Sequence, residues 1–229
     1  MEQLLQYSPL LLRGTVVTVL LAVISLALAT LLGGLGAAGK LGGGAVSNAV
    51  VQVYTTIVRG VPDLVMLLLV YFGGQRLVNV ALGAFGVEPV SISPFLAGVL
   101  AIGFIYGAYL TETFRGAYMT IPRGQIEAAR ALGLHDLAAH WTVTIPQLIR
   151  FALPGYANVW QVLVKSTAVV SVIGLEDLVG LADSAGKTVR QPFVFFAAVL
   201  LVYLVLTWIS TQAFAWLERR YALKGHHAR

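Results

Sequence analysis

Apolar residues run through this chain in blocks of membrane-spanning length, not in the short alternations of a half-buried sheet. About 20 apolar residues in a helix cross a hydrocarbon core of about 30 Å. The block from Gly14 to Leu35 holds no ionisable residue. A second, Ala49 to Phe72, is interrupted by Arg59, Gly60, Pro62 and Asp63. A third, Phe95 to Tyr118, carries Glu112 and Arg115 near its far end, and a fourth, Phe151 to Ile173, contains Lys165. The fifth, Phe193 to Trp216, is uninterrupted and offers Tyr203, Trp208 and Trp216 as interface aromatics. The pattern predicts an all-α membrane protein with five spans, near 14–35, 49–72, 95–118, 151–173 and 193–216, in one unit over residues 1–229. The longest segment between spans, 119–150, is Ala-rich in IEAARALGLHDLAAHW, and Gly133 is placed to end a first short helix there.

Composition agrees with that pattern. Of the 229 residues, 58% are hydrophobic and 11% charged, and no cysteine is present. A soluble domain is about 25% charged, so a solvated globular surface is excluded, as are thiol catalysis and disulfide scaffolds. The net charge of +5 reads as basic cytoplasmic loops rather than a nucleic-acid surface. Five spans place the termini on opposite sides. With the C-terminus inside, Lys40, Arg115, Arg123, Arg130, Arg150, Arg219, Arg220, Lys224 and Arg229 lie in inside segments, against Arg13, Arg76, Lys187 and Arg190 outside. The expected orientation is N-terminus out, C-terminus in, with 119–150 cytoplasmic. The first span is too long for a signal-peptide core and is expected to be retained.

Several motifs invite nucleotide or metal readings that their context does not support. Gly34, Gly36 and Gly39 fit G-x-G-x-x-G, but a dinucleotide site needs a strand before it, and here a flexible turn is expected. The P-loop-like GLGAAGKL and LADSAGKT lack the magnesium-holding hydroxyl and the first glycine respectively. His135 and His140 do not share a helical face, and His226 and His227 sit in a basic tail, so no metal ligands are expected. No catalytic set converges. Gly103 and Gly107 form G-x-x-x-G, expected to serve helix packing within the subunit.

Ionisable groups inside spans cost about 2.5–3.5 kcal/mol each at the helix centre, so they pair or line a pathway. Arg59 and Asp63 are four residues apart, the spacing of a same-face ion pair, although Pro62 disturbs the helix between them. Asp63 can alternatively face a polar cavity beside backbone groups freed by Gly60 and Pro62. Lys165, Ser166 and Thr167 interrupt the fourth span, alongside Asn158 and Gln161. Two broken spans in one small bundle suggest a translocation path.

The segment EAARALG, Glu127 to Gly133, followed by Val143, Ile145 and Pro146, resembles the EAA-x3-G-x9-I-x-L-P signature of permease subunits in binding-protein-dependent ABC importers. Val143 and Ile145 are conservative departures. RGVPDLV (from Arg59), GAYLTETFRGAY (from Gly107), IPRGQIEAA (from Ile121) and LVKSTAVVSVIGLEDL (from Leu163) are similar to the polar-amino-acid branch, closest to the histidine and lysine/arginine/ornithine type, over roughly residues 10 to 223. Asp63 stands where many members carry a hydrophobic residue, which implies a cationic substrate. The resemblance implies a type I ABC importer transmembrane domain in the bacterial inner membrane. It also implies a second homologous permease, an ATPase dimer that binds ATP and Mg, and a periplasmic substrate-binding protein. This chain itself is then neither an enzyme nor a cofactor binder. Glu127, Ala128, Ala129 and Gly133 are expected to couple to the ATPase, with Glu127 at the helix start complementing the helix dipole. Asp63, Arg59, Asn158, Gln161, Lys165, Ser166 and Thr167 are expected along the substrate path. Two rival readings remain. An ion-driven secondary transporter would normally show internal repeats, and none is visible. A membrane-embedded enzyme would need a catalytic set.

Overall fold

The computed structural model describes residues 2–221; Lys224, His226, His227 and Arg229 lie outside them. Among the described residues ten α-helices are formed: α1 Glu2–Gly42, α2 Ala45–Gly60, α3 Asp63–Leu68, α4 Gly74–Ala84, α5 Pro94–Met119, α6 Arg123–Ala131, α7 Asp136–Ala139, α8 Ile145–Ser166, α9 Leu178–Thr188 and α10 Pro192–Tyr221. Single π-turns, Leu69–Gly73 and His140–Thr144, join α3 to α4 and α7 to α8. A 3-10 stretch, Thr167–Ile173, continues α8. Five helical runs are long and apolar enough to cross a membrane: Leu4–Gly42, Asp63–Ala84, Pro94–Met119, Asp136–Ile173 and Pro192–Tyr221.

Helix α5 is the core. Ser93 caps it by accepting from Leu96 N, and Pro94 suits the first helical position, where its missing N–H is not needed. It lies parallel to α1 along a seam of small residues. A Cβ placed on Gly103 would come within 2.5 Å of Leu28, on Gly107 within 2.9 Å of Leu32, and on Gly33 within 2.6 Å of Leu110. The G-x-x-x-G pair thus packs inside the subunit, as expected. Gly34, Gly36 and Gly39 depart from expectation, because they form no turn. They are helical, and α1 runs on to Gly42. With α5 close beside Gly33 and Gly36 and α2 close beside Gly39, this packing offsets the roughly 1 kcal/mol that each glycine costs in a helix.

The second span is also drawn differently. The window 49–72 straddles a break in which Val61 and Pro62 are extended (ψ 137° for each). Pro62 has no N–H to donate and its ring crowds the carbonyl four residues back. The chain therefore leaves α2 and restarts at α3, and the apolar run of membrane length is Asp63–Ala84. Helix α10 lies on the outside. Only Phe195 and Val199 of it are buried, while Leu200, Leu204, Trp208 and Ile209 are exposed, an apolar face suited to lipid.

Candidate functional site

The break before α3 places Asp63 beside the middle of α5. Its Oδ2 accepts from Tyr106 Oη at 2.8 Å and from Ser166 Oγ at 3.1 Å, and the two hydroxyl oxygens, their protons so used, lie in contact with each other. Tyr106 stands halfway along α5 and Ser166 is the last residue of α8. The carboxylate is thus held by two hydroxyls from two other helices. A cavity of about 10 Å³, bordered by Asp63, Tyr106, Ser166 and Val170, adjoins it, which is room for about one water. The expected ion pair with Arg59 does not form. With Val61 and Pro62 extended, the four-residue spacing no longer puts the two groups on one helical face, and Arg59 instead lies over the Tyr109 ring, 5.3 Å from its centroid.

Tyr109 stacks on Tyr106, with centroids 5.6 Å apart and planes 28° apart. Two stacked rings therefore separate a cation from an anion near mid-span. Arg59 also lines a polar cavity of about 300 Å³ with Gln52, Thr55, Thr56, Glu112 and Arg115. At its edge Lys40, its side chain only 4% exposed, pairs with Glu112 at 2.5 Å and bonds Gln52 and Thr55. Arg115 closes on the other oxygen of Glu112 at 2.8 Å. Lys40 and Arg115 are thereby committed to Glu112. Among the described residues Arg59 has no carboxylate within ion-pair distance.

The other residues expected on the path divide. Ser166 joins Asp63, but Gln161 donates to Thr207 O and Thr211 Oγ1 on α10, and Thr167 bonds Tyr203 on the same helix. Both face a structural neighbour because α8 turns that side toward α10. Asn158 and Lys165 are exposed on α8. Sequence reading missed Tyr106 and Tyr109; the available signal was two hydroxyl-bearing rings three residues apart in an otherwise apolar span. It also missed the Lys40–Glu112 pair, whose partners lie 72 residues apart.

At the loop end, α6 carries the EAA residues. Ala129 is buried, whereas Glu127 and Ala128 are exposed. Gly133 adopts φ +83°, a left-handed conformation that glycine accepts freely, and closes the helix with Leu134 N donating to Ala129 O. Arg130 clips the turn to Asp136 at 2.8 Å, and His135 caps α7 by accepting from Ala138 N at Nδ1. Glu127 is not at the helix start. It is the fifth residue of α6, whose first turn holds no acid, so its charge does not act on the N-terminal dipole. Around the turn Leu132 is 84% exposed, and Leu137 and Trp141 are also bare.

Residues 29–223 match the family described as binding-protein-dependent transport system inner membrane component. The chain is 46% identical to the histidine/lysine/arginine/ornithine transport system permease protein HisQ of Escherichia coli, over 95% of each chain. It is 40% identical to the octopine transport system permease protein OccQ of Rhizobium radiobacter, over 91% of this chain and 89% of that one. Among solved structures it is similar to an amino acid ABC transporter crystallised with histidines, with a TM-score of 0.78 at 33% identity, covering 95% of this chain and 96% of that one.

Proposed function

This chain belongs to the binding-protein-dependent transport system inner membrane components, and on that premise we propose that Asp63 guides a basic amino acid or opine across the membrane. The family role is that of a multi-pass permease subunit in an ABC importer, served by a binding protein and an ATPase. The substrate reading rests on one observation: Asp63 sits beside the middle of α5 with two hydroxyl donors and, among the described residues, no ion-paired cation. A carboxylate at that depth is costly without a partner. Tyr106 and Ser166 steady its charge, and an arriving ammonium or guanidinium completes the set. Relatives named for histidine, lysine, arginine, ornithine and octopine transport support a cationic, polar substrate.

In the same proposal α6 seats in the ATPase, with Gly133 aiming the helix and exposed Leu132 beside it as apolar contact. ATP and Mg²⁺ act on that partner. A second, similar permease completes the pathway as a heterodimer, and the loop end faces the cytoplasm, as the distribution of Lys and Arg favours. Asp63→Asn keeps the shape and removes the charge. In proteoliposomes holding the assembled importer, arginine uptake should fall by about tenfold or more, while complex yield and basal ATP hydrolysis persist. Unchanged uptake takes Asp63 off the path. Poor assembly would make it a structural residue.

A further inference from the structure

Arg59 and Asp63 pose a problem of charge. Arg59 is level with Tyr109, one turn of α5 from the Tyr106 that holds Asp63. Opposite charges so close near mid-span would ordinarily be joined, since each alone is expensive there. Here the break at Val61 and Pro62 keeps them apart and gives each neutral company: hydroxyls for the acid, an aromatic face for the cation. The Arg59 guanidinium is exposed and borders the 300 Å³ polar cavity. The two other cations nearby, Lys40 and Arg115, are committed to Glu112. Summed over these four groups, three cations and one anion leave a surplus of two positive charges on this side of the tyrosine stack, which an incoming anion can offset.

We infer that Arg59 receives the carboxylate of the transported amino acid while Asp63 receives a cationic group of the same molecule, so that the substrate passes the half-buried Tyr109 ring. This deepens, and rests on, the reading of Asp63 as a substrate-path residue. A guanidinium presents a fork of donors that matches a carboxylate in two parallel hydrogen bonds. The half-buried Tyr109 ring beside Arg59 offers an apolar face to the methylene stem of a basic amino acid. The arrangement selects for a molecule carrying both charges, and against diamines and guanidines that lack the acid.

The test compares arginine with arginine methyl ester, which keeps the amino and guanidinium groups and loses the carboxylate's charge. Equilibrium dialysis of each radiolabelled ligand against the purified permease–ATPase complex, without binding protein, reads affinity. The component that Asp63→Asn weakens belongs to this chain's site. The wild type should bind the ester about 10- to 100-fold more weakly, the worth of a charge-assisted hydrogen bond. Arg59→Gln should weaken arginine by a similar factor and leave the ester unchanged, bringing the ratio to about one. Asp63→Asn should weaken both ligands and preserve the ratio. A ratio in Arg59→Gln equal to that of the wild type overturns the inference, even where Asp63→Asn behaves as expected and the substrate reading stands. A wild type that binds neither ligand overturns both. Should the Gln variant fail to assemble, Arg59→Lys decides: losing the guanidinium fork should weaken arginine and leave the ester unchanged, whereas equal weakening of both ligands, or of neither, ends the inference.

Discussion

Two acids, the half-buried Asp63 and the fully buried Asp177, each stand at the start of a helix, in contrasting surroundings. Asp177 is fully buried where α1 meets α9, and its Oδ1 accepts from Gly180 N at 2.9 Å. It serves its own helix as an N-cap. The corner around it is dry and tight: Thr18 Oγ1 accepts from Leu178 N, and a Cβ on Gly14 would lie 2.8 Å from the Leu178 Cα. Asp63, half-buried, takes its hydrogen bonds from two other helices, beside a small cavity. An acid that caps its own helix is part of the packing. An acid whose donors come from separate helices caps nothing of its own, and that is what the proposed substrate role draws on.

The tight corner breaks first. Gly14→Val drives a branched side chain into the α9 backbone and should destabilise by about 1–3 kcal/mol or more, read as a lower melting temperature and folded yield in detergent. Gly34→Ala, where a Cβ meets nothing within 4 Å, is the matching control and should be neutral or slightly stabilising. At the other site a substitution should improve the helix and spoil the function. Pro62→Ala lets α2 run into α3, returns Arg59 and Asp63 to the four-residue spacing and allows them to pair. The melting temperature should hold or rise, while uptake of cationic substrate falls by about tenfold, the equivalent of about 1.4 kcal/mol. Unimpaired uptake would show that separation of the charges is not required.

The smallest effect is one of pH. Burial pushes the Asp177 carboxyl up from 3.8 to about 6. The Arg13–Glu176 pair beside it lies exposed. The folded protein therefore keeps a proton that the unfolded chain releases. The associated stability is complete below about pH 4 and is lost as pH rises through about 6. Thermal scans from pH 7 down to pH 5 should show a gain of a few degrees at most. Asp177→Asn keeps an accepting oxygen for Gly180 N and removes the titration, so its curve should be flat over the same range. A wild-type curve as flat as the variant's would mean that the corner is wetter than it looks.

Span three was legible in the sequence almost to the residue and span five at its start, because a predominantly apolar block of that length has one low-energy form in lipid. Span two was legible only as an interrupted block. Composition shows that Pro62 breaks a helix, but not on which side of the break the membrane-length run continues. The glycines after Leu32 were misread for a related reason: Gly33 to Gly39 look like a turn until the facing helix is known. Asp63 and Ser166 were found because ionisable and hydroxyl groups within apolar spans stand out. Gln161 and Thr167 stood out equally, and only the direction of each side chain separates them. Asp177 was passed over, although an acid just ahead of an apolar helical run is an N-cap signal.

The sequence by itself determined the class of the molecule, the number of its spans, its family signature and the turn at Gly133, because these rest on local hydrophobicity, spacing and backbone freedom. Tertiary structure decided which charges meet. Lys40 closes on Glu112 across 72 positions, while Arg59 and Asp63, four positions apart, do not pair. At spanning depth the partner of a charge is set by which helix faces it, and helix facing depends on how glycines, prolines and rings from distant segments pack together.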